Sequence, residues 1–321
     1  MRRAFLVAAA LVVTAATPAT AQTMSPLEIS APGPQGLLAG TMIDPNPKAS
    51  LVLIIPGSGP TDRDGNNRLG VKGAPYRQLA EALGANGIAT LRIDKRGLFG
   101  SAAAVADPFD VTISAYADDV HAWVDVVLKR TGRRCVWVLG HSEGALVALV
   151  AAQNPKGICG IVLLAGAGRP LGAVLREQLS SNPANAPILA PGLAAIETLE
   201  AGKHIDPATL PAPLQPLFGE KLQPYLIDLL AHDPAKLIAN VRLPVLILQG
   251  DRDLQVGVGD AAALKRAQPR AVLMLLAGIN HVLRPAPNGD PAANFATYGD
   301  AALPIAPIVA EDVAGFVKQK R

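Results

Sequence analysis

The chain predicts a doubly wound, mostly parallel α/β sheet, and three observations carry that prediction. Six short runs, at 51–55, 88–93, 135–139, 161–164, 245–248 and 272–276, are apolar throughout, save for Thr90 and Arg92 in the second. Continuous rather than alternating apolar runs mark strands covered on both faces, as in a parallel sheet. Helical spacings lie between them: Tyr76, Leu79, Ala80 and Leu83 fall at i, i+3, i+4 and i+7, and Tyr116, Val120, Trp123, Val124 and Val127 keep the same period. One long stretch, 168–240, separates two of the runs by far more than an ordinary connection.

Ahead of the six runs, 27–30 and 37–43 read as an antiparallel opening pair with Gly33 and Pro34 in the turn. Strands alternating with helices then give the doubly wound layer architecture. The stretch 168–240 carries helical patterns (Leu222, Tyr225, Leu226, Leu229, Leu230) broken repeatedly by proline. It reads as a helical cap inserted between strands six and seven, over the C-terminal edge of the sheet, where insertions bear on function. The core is then 22–167 together with 241–321.

The first 21 residues read as an address rather than as structure. Arg2 and Arg3 precede an apolar run at 4–13, and Ala19, Thr20 and Ala21 supply an A-x-A cleavage site, so a signal peptide ends before Gln22. Thr14, Thr17 and Pro18 interrupt the run before the ~20 residues a spanning helix needs, and no Cys follows the cleavage site. The expectation is export to the periplasm or beyond the cell, with no stable membrane anchor. Of 29 basic and 26 acidic residues, removal of Arg2 and Arg3 leaves 27 and 26, a nearly neutral chain. With no basic run and no aromatic-interleaved patch, nucleic acid is not an expected partner. A small-molecule substrate without a strong charge requirement is.

Gly140-His141-Ser142-Glu143-Gly144 is a G-x-S-x-G pentapeptide between an apolar run and a helical pattern at 145–152. In that strand–turn–helix setting the serine hydroxyl stands exposed on a tight turn, and glycines flank it because a Cβ would clash with neighbouring backbone. A free serine hydroxyl is a poor nucleophile and needs a base. His281, just after the run 272–276, leaves the sheet on the same edge as Ser142; His141, His121, His204 and His232 lie in the turn itself, on a helix or in the cap. The acid is expected between them in the chain, and Asp251 and Asp253 compete for it. An oxyanion hole needs two backbone N–H donors. Glu143 supplies one and Ser58, in the small-residue loop Pro56-Gly57-Ser58-Gly59-Pro60, the other, with Gly59 as its rival. The charged stretches at 61–66 and 94–97 read as self-satisfied turns. Asp and His are too scattered for a zinc or calcium site, and no cofactor is expected.

Taken together, PGSGPTDRDGN, DKRG, GHSEGA, GDRDLQV and NHVL resemble the secreted bacterial α/β-hydrolases related to serine aminopeptidases, monoacylglycerol lipases and small carboxylesterases. The resemblance spans about 51–283 and is nearest the carboxylesterase branch with its PGSGPxDRD oxyanion loop. It implies the α/β-hydrolase fold, a triad of Ser142, Asp253 and His281, and a serine hydrolase working through an acyl-enzyme. The acid of this fold sits three residues after the glycine ending its strand, with an apolar residue three further on, a spacing that Gly250, Asp253 and Val256 meet. The apolar, Ala-, Leu- and Pro-rich cap points to esters with short acyl groups, hence a carboxylesterase (EC 3.1.1). An aminopeptidase would need a carboxylate for the substrate ammonium, from Glu177, Glu197 or Glu200; a thioesterase would use the same triad. A binding module on the same scaffold would have no need of all three triad residues. Cys135 and Cys159, in apolar surroundings on strands expected to be parallel neighbours, are expected to be free thiols.

Overall fold

Strands β1 (Leu27–Pro32) and β2 (Leu37–Ile43) form the antiparallel opening pair in the computed structural model, which describes residues 25–68 and 70–319. The segment read as a signal peptide lies outside those residues. Six further strands run parallel: β3 (Leu51–Ile55), β4 (Ala89–Ile93), β5 (Val136–His141), β6 (Ile158–Leu164), β7 (Val245–Gly250) and β8 (Val272–Leu276). The eight lie in the order β1-β2-β4-β3-β5-β6-β7-β8, with β2 antiparallel to β4.

The apolar runs are continuous because alternate residues enter two different cores. Leu51, Leu53 and Ile55 of β3 join one cluster, and Val52 and Ile54 join the other. The first is closed by helices α2 (Ile113–Thr131), α3 (Glu143–Ala151) and α8 (Val258–Ala267). The second is closed by α1 (Pro75–Ala85), through Tyr76, Leu79 and Leu83, and by α10 (Pro307–Val317). Helix α9 (Pro291–Gly299) follows β8 near the C-terminal edge.

Strand order fixes where a ligand can go. From β3 the chain moves to β4 on one side, then crosses to β5 on the other and continues outward. The loops leaving β3 and β5 therefore turn in opposite directions, and the crevice between them is the topological switch point, where open α/β sheets take their ligands.

Between β6 and β7 lie α4 (Leu171–Ser181), α5 (Ala186–Glu200), α6 (Gln223–Leu230) and α7 (Pro234–Asn240). Several of the prolines begin helices rather than break them: Pro187, Pro224 and Pro234 stand in first turns, where a missing N–H costs nothing. Helices α5 and α6 share a small core of their own built on Ile196, Leu199, Leu214, Phe218 and Leu230. Helix α7 instead buries Ile238 in the main core.

The two cysteines are bridged, contrary to the expectation of free thiols. Their Cα atoms lie 5.1 Å apart, inside the range a disulfide spans. Regular parallel neighbours rarely offer that approach, but the β5–β6 register shifts at Val136 and Trp137, opposite Cys159. Both cysteines are only half-buried at the strand starts, so the apolar enclosure that favours a free thiol is missing.

Candidate active site

The glycines around Ser142 are a packing requirement. A Cβ on Gly140 would run into the Gly144 carbonyl, and a Cβ on Gly144 into the carbonyls of Ile55 and Pro56, because β5, α3 and the end of β3 meet there. The helix begins directly after the serine, two residues earlier than its pattern suggests. Ser142 holds φ 55° and ψ −119°, a conformation that costs a non-glycine residue ~1–3 kcal/mol. Its N–H donates to Leu164 O at 2.9 Å, and its carbonyl accepts from Ala145 N–H at 2.9 Å. Neighbouring β6 and the first turn of α3 thus hold the turn, with Ser142 at the crevice.

His281 and Asp253 meet. His281 Nδ1 donates to Asp253 Oδ2 at 2.7 Å, and the Asp253 side chain is wholly enclosed. Its Oδ1 accepts from the backbone N–H groups of Gln255 (2.8 Å) and Val256 (2.9 Å), and Oδ2 also accepts from Gln249 Nε2 at 3.1 Å. Burial pushes the Asp253 pKa up, but the His281 charge and hydrogen bond and the two amides outweigh it and hold the carboxyl below its ordinary value. Asp251 serves the turn instead: its Oδ1 accepts from Gly278 N–H at 2.7 Å, and Arg252 sits 3.6 Å away. Hydrogen bonds among the described residues join His281 to Asp253 and none joins Ser142 to His281, a contact that in unliganded sites tightens only on substrate.

His141 is tied to His281 in a way that spacing alone does not reveal. Its Nε2 lies 2.8 Å from the His281 carbonyl oxygen, which can only accept, so Nε2 carries the hydrogen. Burial above all, then the nearby His281, lowers its pKa to about 3, so the ring is neutral and Nδ1 is an acceptor. Tyr76 donates its hydroxyl to that Nδ1 at 2.7 Å and itself accepts from Gly57 N–H at 3.1 Å. A one-directional chain of hydrogen bonds therefore runs from the loop after β3 through Tyr76 and His141 to the backbone of His281.

The loop after β3 lies against the serine turn: a Cβ on Gly57 would stand 3.3 Å from Ser142 Cβ. Among the described residues, no protein acceptor takes the N–H of Ser58 or of Glu143. Lys95 was read as part of a local turn, yet it reaches into the site. Its ammonium donates to Gly57 O and to Glu143 Oε1, each at 2.8 Å, with the two side chains 3% and 4% exposed. Its neighbours in sequence are structural: Asp94 holds Arg63, and Arg96 holds Asp119. Within the 61–66 stretch Asp62 Oδ1 accepts from the backbone N–H groups of Asp64 and Asn66, but the stretch is not the self-satisfied turn expected, since Arg63 pairs with Asp94 and Glu28 and Asp64 pairs with Arg92.

Two cavities meet at Ser142, which lines both together with Ser58 and Gln255. The larger, about 630 Å³, runs under the insertion and is walled by Val174, Leu175, Ile196, Leu214, Phe218 and Leu229. The smaller, about 450 Å³, is lined by His281, Thr61, Phe295 and Tyr298. The carboxylates considered for an ammonium are otherwise engaged or outside: Glu177 pairs with Arg169 at 2.6 Å, Glu200 pairs with Arg176, and Glu197 faces solvent.

A sheet in this order, with a strained serine after β5 and a histidine after β8, is the α/β-hydrolase fold. Comparison with known proteins agrees on that class. The family described as serine aminopeptidase, S33 matches residues 67–189. Esterase EstD of Thermotoga maritima is 30% identical over 241 residues, 72% of this chain and 54% of EstD, so the chain spans about half the length of that relative. Among solved structures, Est1E from Butyrivibrio proteoclasticus superposes with a TM-score of 0.56 at 19% identity, covering 90% of this chain and 96% of Est1E. The α/β hydrolase GrgF from Penicillium sp. sh18 gives 0.60 at 16%, covering 92% and 98%.

Proposed function

We propose that the protein is a serine carboxylesterase that cleaves its substrate through an acyl-enzyme. The observation that carries this reading is the assembly at one crevice of Ser142 on its strained turn and of His281 fixed by the enclosed Asp253. In the proposed reaction His281 Nε2 takes the Ser142 proton as Oγ attacks the ester carbonyl. The oxyanion rests on the N–H groups of Ser58 and Glu143. The alcohol departs with the proton from His281, and water then repeats the sequence to release the acid. Asp253, held ionised, keeps the hydrogen of His281 on Nδ1 and stabilises the ring while it is charged. EstD being an esterase supports the reaction class.

The apolar cavity refines the substrate. Small residues in the insertion were read as a sign of short acyl groups, but small side chains also leave room. At about 630 Å³ the cavity falls in the range of sites that enclose drug-sized ligands, ~300–1,000 Å³. We infer an uncharged ester whose apolar part exceeds butyryl. Glu177 and Glu200 are paired with arginines and neither lines a cavity at Ser142, which favours this over an aminopeptidase. Export fits the leader pattern at 1–21 and the Cys135–Cys159 bridge, which an oxidising compartment permits.

A panel of p-nitrophenyl esters and aminoacyl p-nitroanilides tests both points. The expected order of kcat/KM is hexanoate or octanoate above acetate, and every ester above the matching anilide. An anilide preferred to its ester would replace the esterase reading with a peptidase one.

A further inference from the structure

The buried Lys95–Glu143 pair lies directly behind both proposed oxyanion donors. Gly57 O, which accepts from Lys95 Nζ at 2.8 Å, belongs to the same peptide unit as the Ser58 N–H. In a planar trans peptide, carbonyl and N–H point in opposite directions, and the described backbone holds no cis bond. Anchoring the carbonyl on Lys95 therefore turns the Ser58 N–H away from the lysine. A full positive charge on that carbonyl also polarises the amide and strengthens its N–H as a donor. The same ammonium grips Glu143 Oε1 at 2.8 Å, and Glu143 carries the second N–H. Gly57 is fixed from its other side too, because its own N–H donates to Tyr76 Oη.

We propose that Lys95 is a positioning residue of the oxyanion hole: one ammonium aligns the Gly57–Ser58 peptide, raises its donor strength and ties it to the residue bearing the second donor. The proposal rests on the reading of Ser58 and Glu143 as the oxyanion donors. Its rival is an ion pair that merely fills the space behind the turn. Buried ion pairs of that kind are commonly replaceable by neutral residues without loss.

Two variants separate these. Lys95→Met/Glu143→Gln removes both charges and leaves none unpaired, and Lys95→Gln keeps a neutral N–H donor at the site. For whichever of them melts cooperatively near the wild-type temperature, kcat on a p-nitrophenyl ester should fall at least tenfold. The fall should approach the ~10²–10³ that loss of one oxyanion donor costs. KM should stay within about threefold, since the ground-state carbonyl draws less on the hole than the transition state does. Inhibition by an alkyl trifluoromethyl ketone, whose adduct carries the oxyanion, should weaken by the same factor as kcat/KM. A folded variant with wild-type kcat and wild-type ketone inhibition overturns the role of Lys95. Ser142→Ala in the same assay keeps the two readings apart: if it retains turnover, the acyl-enzyme reading fails, whatever Lys95 does.

Discussion

Asp251 and Asp253 stand two residues apart, and their surroundings divide the work between them. Asp253 has an enclosed side chain, accepts two backbone amides and meets His281; Asp251 is exposed and holds the backbone of Gly278. Asp253→Asn should lower kcat by about 10⁴, the order found for the same change in other Ser-His-Asp triads, because an amide favours the wrong tautomer of the base. Asp251→Asn should cost under about tenfold, through the turn alone. Steady-state kinetics on both variants decides the assignment, and losses in the reverse order would move the acid to Asp251. His141 gives a prediction about pH. An unfolded histidine titrates near 6.5, whereas His141 in the fold is lowered to about 3. Below pH ~6.5 the unfolded chain binds a proton that the folded chain refuses, so this contribution to stability is full above that pH. It is lost progressively as pH falls toward 3, by up to about 1.4 kcal/mol per unit. Urea melts should show that slope in the wild type and a flatter one in His141→Asn; equal slopes would mean that His141 is not buried neutral. The Asp253–His281 contact and the place of Ser142 on its turn were legible in the sequence because strand ends and glycine spacing are local signals. The contacts of Tyr76, His141 and Lys95 were not, since they join partners 19 to 140 residues apart in the chain.

At the scale of elements, apolar runs and helical periods located the strands and helices α1, α2 and α3 to within a few residues, because both faces of this sheet are covered and tertiary burial sets those patterns, whereas α8, α9 and α10 were not picked out. Proline was harder to read. It looks like a breaker in the 168–240 stretch, yet at Pro187, Pro224 and Pro234 it opens a helix. The disulfide was misread for a similar reason: strand pairing was legible, but the register shift beside Cys159 that lets the two chains approach was not. That bridge closes a sequence separation of 24 residues between β5 and β6, the two strands whose ends hold the serine turn. Loop-closure entropy puts its contribution near 3–4 kcal/mol. Titration of the unfolded, unreduced protein should find no free thiol, and Cys135→Ala/Cys159→Ala should unfold at correspondingly lower denaturant. Two titratable thiols per chain would restore the unbridged state.

Across the whole molecule, function follows from where the strand order reverses. The loop after β3 and the serine turn after β5 flank the switch point, and β7 and β8 bring Asp253 and His281 to the same edge. The insertion roofs the apolar cavity, and its size was illegible in composition because volume depends on how α4, α5 and α6 stand apart rather than on which residues line them. In the proposed reading, near-neutral charge and an apolar cavity favour an uncharged ester, and the strained serine favours covalent catalysis. That last point is the centre of the account, and acid-quenched mass spectrometry during turnover of a p-nitrophenyl ester addresses it directly. The account predicts a mass increase of one acyl group per chain, mapped to the peptide carrying Ser142, formed with the burst of p-nitrophenol and absent from Ser142→Ala together with activity. An acyl group on any other residue, or undiminished ester turnover by Ser142→Ala, would contradict it.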